Sequence, residues 1–162
     1  GALGGGGTPD ADFLARVNVE GAVSRRIAGT VVASAGYRYL DFRQLDIHQA
    51  QPALTWYHGK GEVEARLFVS RNTGTGRTSP TFQLRAGYEA GPRIGIGAGF
   101  AYGDRIFDIA SLPTGASRAR AGFATLRLGL TPRDSLLLGG IAADEQPSFD
   151  YRSVSIGYRR TF

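Results

Sequence analysis

Between residues 13 and 162, apolar and polar side chains alternate with a period of two almost everywhere outside the loops, which confines the chain to β-strands with two unlike faces. In FLARVNVE (13–20), Phe13, Ala15, Val17 and Val19 alternate with Leu14, Arg16, Asn18 and Glu20. In EVEARLFVS (62–70), Val63, Ala65, Leu67 and Val69 oppose Glu62, Glu64, Arg66 and Ser70. The same rhythm runs through 30–42, 45–58, 81–89, 93–103, 117–130, 136–144 and the closing residues, and a continuation through 104–110 is expected. The count is about nine strands. A turn is expected at 24–29, and Pro52 implies an edge or a bulge in its strand. No stretch has the period of a helix. An open antiparallel sheet would leave edges that recruit other chains, and closure removes them. The expected fold is therefore all-β: an antiparallel up-and-down transmembrane β-barrel of about eight to twelve strands.

Alternation alone does not say which face is wet, because a soluble barrel would bury what a membrane barrel exposes. The aromatic residues discriminate. Trp56, Tyr88, Tyr158 and Phe162 fall near the short-turn end of their strands, whereas Phe13, Tyr37, Tyr39, Phe82, Phe100 and Tyr102 fall near the other. Between them lie Val, Ala, Leu and Ile. Two rings of amphipathic aromatics around an aliphatic band make the girdle of an outer-membrane barrel. Connection lengths point the same way: SRRIAG, GKG, AGP and TPRDS are short, and those at 71–80, 104–116 and 144–150 are longer. No apolar run approaches the ~20 residues of a membrane helix.

The opening GALGGGGTPD (1–10) is low in complexity and is expected to be flexible, leaving 11–162 as the barrel domain. Nine strands would place the two ends of the chain on opposite sides of the membrane. Either the Gly-rich start supplies a tenth strand, or the chain is the C-terminal part of a larger barrel, an expectation in keeping with a first residue that is not Met. With no cysteine there is no disulfide framework, and the net charge of +5 suits nucleic acid or an anionic lipid surface equally.

GYRYLDF (36–42), ALTWYHGKGEVEARLFVS (53–70), LRAGYEAGPRIGIGAGFAYG (84–103) and FDYRSVSIGYRRTF (149–162) resemble the YaiO-type outer-membrane β-barrel family. The resemblance covers most of 13–162 and implies fold and location, the cell outer membrane of a Gram-negative bacterium, with no catalytic residue to carry over. The ending, with Ser155, Gly157, Tyr158 and Phe162, is similar to the C-terminal recognition pattern of such barrels, from which Arg160 departs. It implies that the barrel-assembly machinery engages the last strand.

On the polar face, Arg16, Arg38, Arg66, Arg85, Arg127 and Arg159 point to the expected lumen beside Glu20, Glu62, Glu64 and Glu89. They make either a conduit for anionic solutes or acidic glycans, or a mutually satisfied Arg–Glu network filling a narrow interior. Arg118 and Arg120 share parity with Leu126 and Leu128 at the long-loop end, where they would contact lipopolysaccharide or form a solvated charged loop. His48, with Asp46 on the same strand face, is the one hint of a hydrolase on lipid or peptide, but no serine is placed beside it. GTGRTS (74–79) lacks the lysine and helix of a phosphate loop, and GIGAGFAYG (95–103) is a smooth strand face, not a dinucleotide turn. No cofactor, no metal cluster and no nucleic-acid partner are expected. The expected role is a porin-like structural or channel protein without catalysis. A place beside polysaccharide export or surface interaction is an analogy only, and a soluble ligand-binding barrel is the remaining alternative.

Overall fold

A β-strand inclined in a bilayer needs about 9–11 residues to cross it, and β2 to β10 here all reach that length. The computed structural model describes residues 1–7, 15–42, 45–104, 118–145 and 149–161. The strands are β1 (Ala2–Gly7), β2 (Val17–Ala28), β3 (Val31–Asp41), β4 (Asp46–His58), β5 (Gly61–Asn72), β6 (Thr78–Gly91), β7 (Ile94–Asp104), β8 (Arg118–Gly129), β9 (Asp134–Glu145) and β10 (Phe149–Arg160). They form one antiparallel sheet in strict chain order, each strand paired with the next. Among the described residues β1 and β10 make no contact, so the sheet is an arc with two free edges.

Four features depart from the sequence reading. The Gly-rich start is not without structure, since Ala2–Gly7 pairs with β2 from Ala2↔Ala22 to Gly7↔Val17, which is the first of the two alternatives, a tenth strand. Glycine hides such a strand because it has no side chain to alternate, yet its backbone donates and accepts as any other. β2 does not turn at 24–29 but continues to Ala28, with a register shift between Arg26 and Ala28. Pro52 lies in a central strand without a bulge. The β4–β5 ladder omits Gln51 and Pro52, which lacks a donor, and resumes at Ala53↔Arg66 in the same register as Ala50↔Val69. Finally, strand extension shortens the outer connections to 73–77 and 146–148. The expected continuation through 104–110 lies outside the described residues.

Turn chemistry sets the opposite end. Gly59 takes φ 57° at the first central position of the β4–β5 hairpin, a value that costs a Cβ-bearing residue free energy. Between β8 and β9, Thr131 Oγ1 accepts from the backbone N–H of Asp134 at 3.0 Å and of Arg133 at 3.2 Å.

Register fixes the two faces. Ile47, 2% exposed, faces the inside of the arc, as do Leu40, Ala53, Ala101, Ala119 and Ala121, all buried. Tyr37, Trp56, Phe82, Tyr88, Ile96, Phe100, Tyr102, Ile156 and Tyr158 stand on the outer face and are all exposed. A water-soluble barrel would show the reverse distribution. Tyr39 shares the outer face with His48, ring centroids 5.2 Å apart. Tyr37, Tyr39, Phe100 and Tyr102 sit toward the end of β3 and β7 that leads into the outer loops, with Phe82 near the start of β6, while Trp56, Tyr88 and Tyr158 sit toward the opposite end. Phe13 and Phe162 lie outside the described residues.

Candidate functional site

The inner wall carries the charge. Glu64, 5% exposed on β5, gathers donors from three strands. Arg66 Nε and Nη2 donate to its two oxygens at 3.1 and 3.2 Å, and Arg85 Nη2 on β6 donates at 3.3 Å. Thr55 Oγ1 on β4 completes the shell at 3.2 Å. A buried carboxylate is tolerable only when paired and hydrogen-bonded, and Glu64 is both. Arg85 also lies 3.7 Å from Glu62, and Arg66 extends the network through Gln51 at 3.3 Å to Gln49 and Ser70.

Two further pairs sit on the same face. Arg38 donates to Asn18 at 3.1 Å and lies 3.9 Å from Glu20. Arg127 on β8 donates to Glu89 on β6, although β7 runs between them. The bridge is possible because the residue beneath is Gly95, where an alanine would bring a Cβ within 3.0 Å of Glu89 Oε1 and 3.2 Å of Arg127 Nε. The glycine is what lets an ion pair arch over a strand.

Of the six arginines expected in the lumen, Arg38, Arg66, Arg85 and Arg127 are thus inward and paired. Arg159 is inward by register, opposite Ser135. Arg16 precedes β2 and is tied to the end of β3 by a 2.9 Å ion pair with Asp41. The geometry is that of a paired network more than of a bare cationic lining. Sequence reasoning missed Arg26, which register turns inward opposite Val32, and it missed the inward aromatics Tyr57, Phe68 and Phe123. Parity carried from Glu62 across the hairpin would have found Tyr57.

On the outer face, Arg120 pairs with Asp144 at 2.7 Å. Arg118 shares its parity on β8, with a side chain outside the described set. His48 and Asp46 also share the outer face, but His48 Nδ1 is 2.5 Å from the Tyr37 hydroxyl, while the Asp46 backbone N–H donates to Thr73. No hydrogen bond joins His48 to Asp46 or to a serine among the described residues, and no group of three His, Cys, Asp or Glu could hold a metal there.

A polar inner wall, an apolar outer wall and ten up-and-down strands describe a membrane barrel, and residues 1–105 match the family model of the YaiO membrane beta barrel domain. The chain belongs to that family. Among curated proteins, none matches it. Three solved structures share the fold of this YaiO-family chain. An anion-selective porin from Comamonas acidovorans is 15% identical over 94% of the chain and 52% of its own, with a TM-score of 0.60. OmpTdeltaL8, a loop-deletion mutant of an outer membrane protein of Vibrio cholerae, is 8% identical over 90% and 63%, with a TM-score of 0.56. OccK3 of Pseudomonas aeruginosa is 12% identical over 91% and 58%, with a TM-score of 0.53. The YaiO-family chain thus spans between 52% and 63% of the length of these neighbours. Family and fold together locate it in the outer membrane.

Proposed function

We propose that the chain forms the wall of a passive outer-membrane conduit and performs no chemistry of its own. The observation that carries this reading is the Arg–Glu network confined to the concave face, with most of the exposed aromatics and aliphatics on the convex one. By register, Arg26, Arg38, Arg66, Arg85, Arg127 and Arg159 face inward against Glu20, Glu62, Glu64 and Glu89. The surplus of cations is small, so a weak preference for anions is expected, in the direction named for the Comamonas porin. Planar-bilayer recording tests it: the purified chain gives current steps whose reversal potential in a KCl gradient lies on the chloride side. Absence of any conductance overturns the conduit.

The convex face is expected to contact lipid, and Ala98, which stands on it at mid-strand between Ala86 and Ala124, supplies a direct check. Ala98→Arg should cost about 2–4 kcal/mol in a denaturant titration in lipid vesicles, the penalty of a cation near the midplane of a barrel wall.

At the outer-loop end, Arg118 and Arg120, with Arg152 on β10, are proposed to meet the phosphates of lipopolysaccharide. The double variant Arg118→Gln, Arg120→Gln should carry at least twofold less co-purifying lipopolysaccharide with folding intact. Unchanged association would leave these residues as a solvated rim. The last strand is likewise proposed as the segment that the barrel-assembly machinery engages, and a place beside polysaccharide export or surface interaction is proposed by analogy of location.

A further inference from the structure

The cross-strand register aligns seven inner-face residues into one row: Tyr57, Glu62, Gly87, Gly97, Thr125, Gly139 and Ser155, one from each of β4 to β10. From Gly87 onward every member is glycine or a small hydroxyl residue. The hydroxyls of Thr125 and Ser155 lie flat over the neighbouring glycines, 2.7 Å from where a Cβ at Gly97 or Gly139 would stand. The rows on either side are tall on β6, β8 and β9, low at Gly95 and Gly99 of β7, and fall away at Ser153 and Gly157 of β10. Arg85, Phe123 and Ile141 stand toward the outer loops, and Glu89, Arg127 and Leu137 toward the short turns. The result is a trough across five strands, about 19 Å long at the ~4.8 Å spacing of paired strands. A concave cavity of about 910 Å³ lies over it, lined by both its floor and its ridges.

We infer that this trough is a binding track for a neutral saccharide chain, an inference that rests on the conduit reading and names the solute class for the same wall. Its backbone groups are already spent in the ladder, so it offers nothing to an extended peptide. Its ridges set Arg85, Glu89 and Arg127 among the apolar side chains, so it offers little to an acyl chain. Its guanidiniums are matched by carboxylates, Arg85 with Glu62 at 3.7 Å and Arg127 with Glu89, so an anion gains no bare cation there. What the trough presents is donor and acceptor side by side, floor hydroxyls, and the apolar bodies of Phe123 and Leu137. Vicinal hydroxyls take one bond from a guanidinium and give one to a carboxylate, while the C–H face of a sugar ring covers an aromatic or aliphatic side chain.

The test uses the 162-residue chain in a detergent without a sugar headgroup, titrated with α-1,4-linked and β-1,4-linked glucan hexamers and followed by saturation-transfer NMR. At least one hexamer should bind, at least tenfold more weakly in Gly139→Val, which fills the floor, and in Phe123→Ala. Gly140→Val, the adjacent residue on the opposite face with nothing within 4 Å of its Cβ position, should bind as the parent does and controls for folding. Failure of both hexamers to bind, equal binding in Gly139→Val, or displacement by inorganic phosphate overturns the inference. Conductance is recorded on the same preparation: current without glucan binding keeps the conduit and removes the track, and binding without current does the opposite.

Discussion

Gly99→Val is expected to leave little or no folded protein in the membrane. A Cβ at residue 99 would stand 2.5 Å from the Leu84 carbonyl oxygen, 2.5 Å from Phe123 Cζ and 3.0 Å from Arg85 Cα. Phe123 can rotate, but the carbonyl and Cα belong to the neighbouring strand and cannot withdraw without opening the β6–β7 ladder. Overpacking in a well-filled interior costs roughly 1–3 kcal/mol when side chains can yield, and here backbone must yield, so the effect should exceed that range. Gly122→Ala is the matched comparison. Gly122 lies one strand away on the outer face, with nothing within 4 Å of its Cβ position, and should fold like the parent. The measurement is the folded fraction by heat-modifiable gel mobility of outer-membrane preparations, and normal yield of Gly99→Val would show that β6 and β7 are not as close as described.

Glu64→Gln is the second large expected effect. It keeps the shape of the side chain and its contact with Thr55 but removes the charge that Arg66 and Arg85 share. Stranding one partner of a buried pair costs about 3–5 kcal/mol, and because Arg85 is 46% exposed and retains Glu62, the lower end of that span is expected. The companion Glu64→Gln, Arg66→Gln should recover part of the loss, which separates charge imbalance from disrupted packing. Both are read by denaturant unfolding in lipid vesicles. In the bilayer the single variant should move the reversal potential further toward chloride, since it uncovers a cation in the lumen, and an unmoved potential would place Glu64 away from the path of ions.

The faces of the barrel were legible because each strand from 30 to 70 and from 81 to 103 alternates side chains of unlike polarity, and period-two parity survives any error in strand ends. Tyr37, Trp56 and Tyr88 could therefore be set outward, and Glu64 and Arg85 inward, from residues alone. The first strand was legible only as an alternative demanded by the strand count, since Gly4 to Gly7 carry no parity and only pairing with Asn18 and Glu20 reveals them. The trough was not legible. The row that holds it has seven residues spread over about a hundred positions, and only the register of six successive strand pairs brings them into line. Ion-pair partners were partly hidden for the same reason: Glu89 and Arg127 are 38 residues apart and meet only because Gly95 leaves the space between them empty.

The bare inner side of β7 bears on how the sheet finds its alignment. A strand whose inward positions are Gly95, Gly97, Gly99, Ala101 and Gly103 offers little to stop it sliding two residues along its neighbour, since parity would be kept. Sliding one way brings the methyl of Ala101 under Phe123, in the place where a Cβ is refused. Sliding the other way sets Arg93 against Arg127 and takes Gly95 from beneath its ion pair. One methyl and one guanidinium thus proofread an otherwise featureless ladder, and misaligned assembly intermediates should accumulate when either is altered.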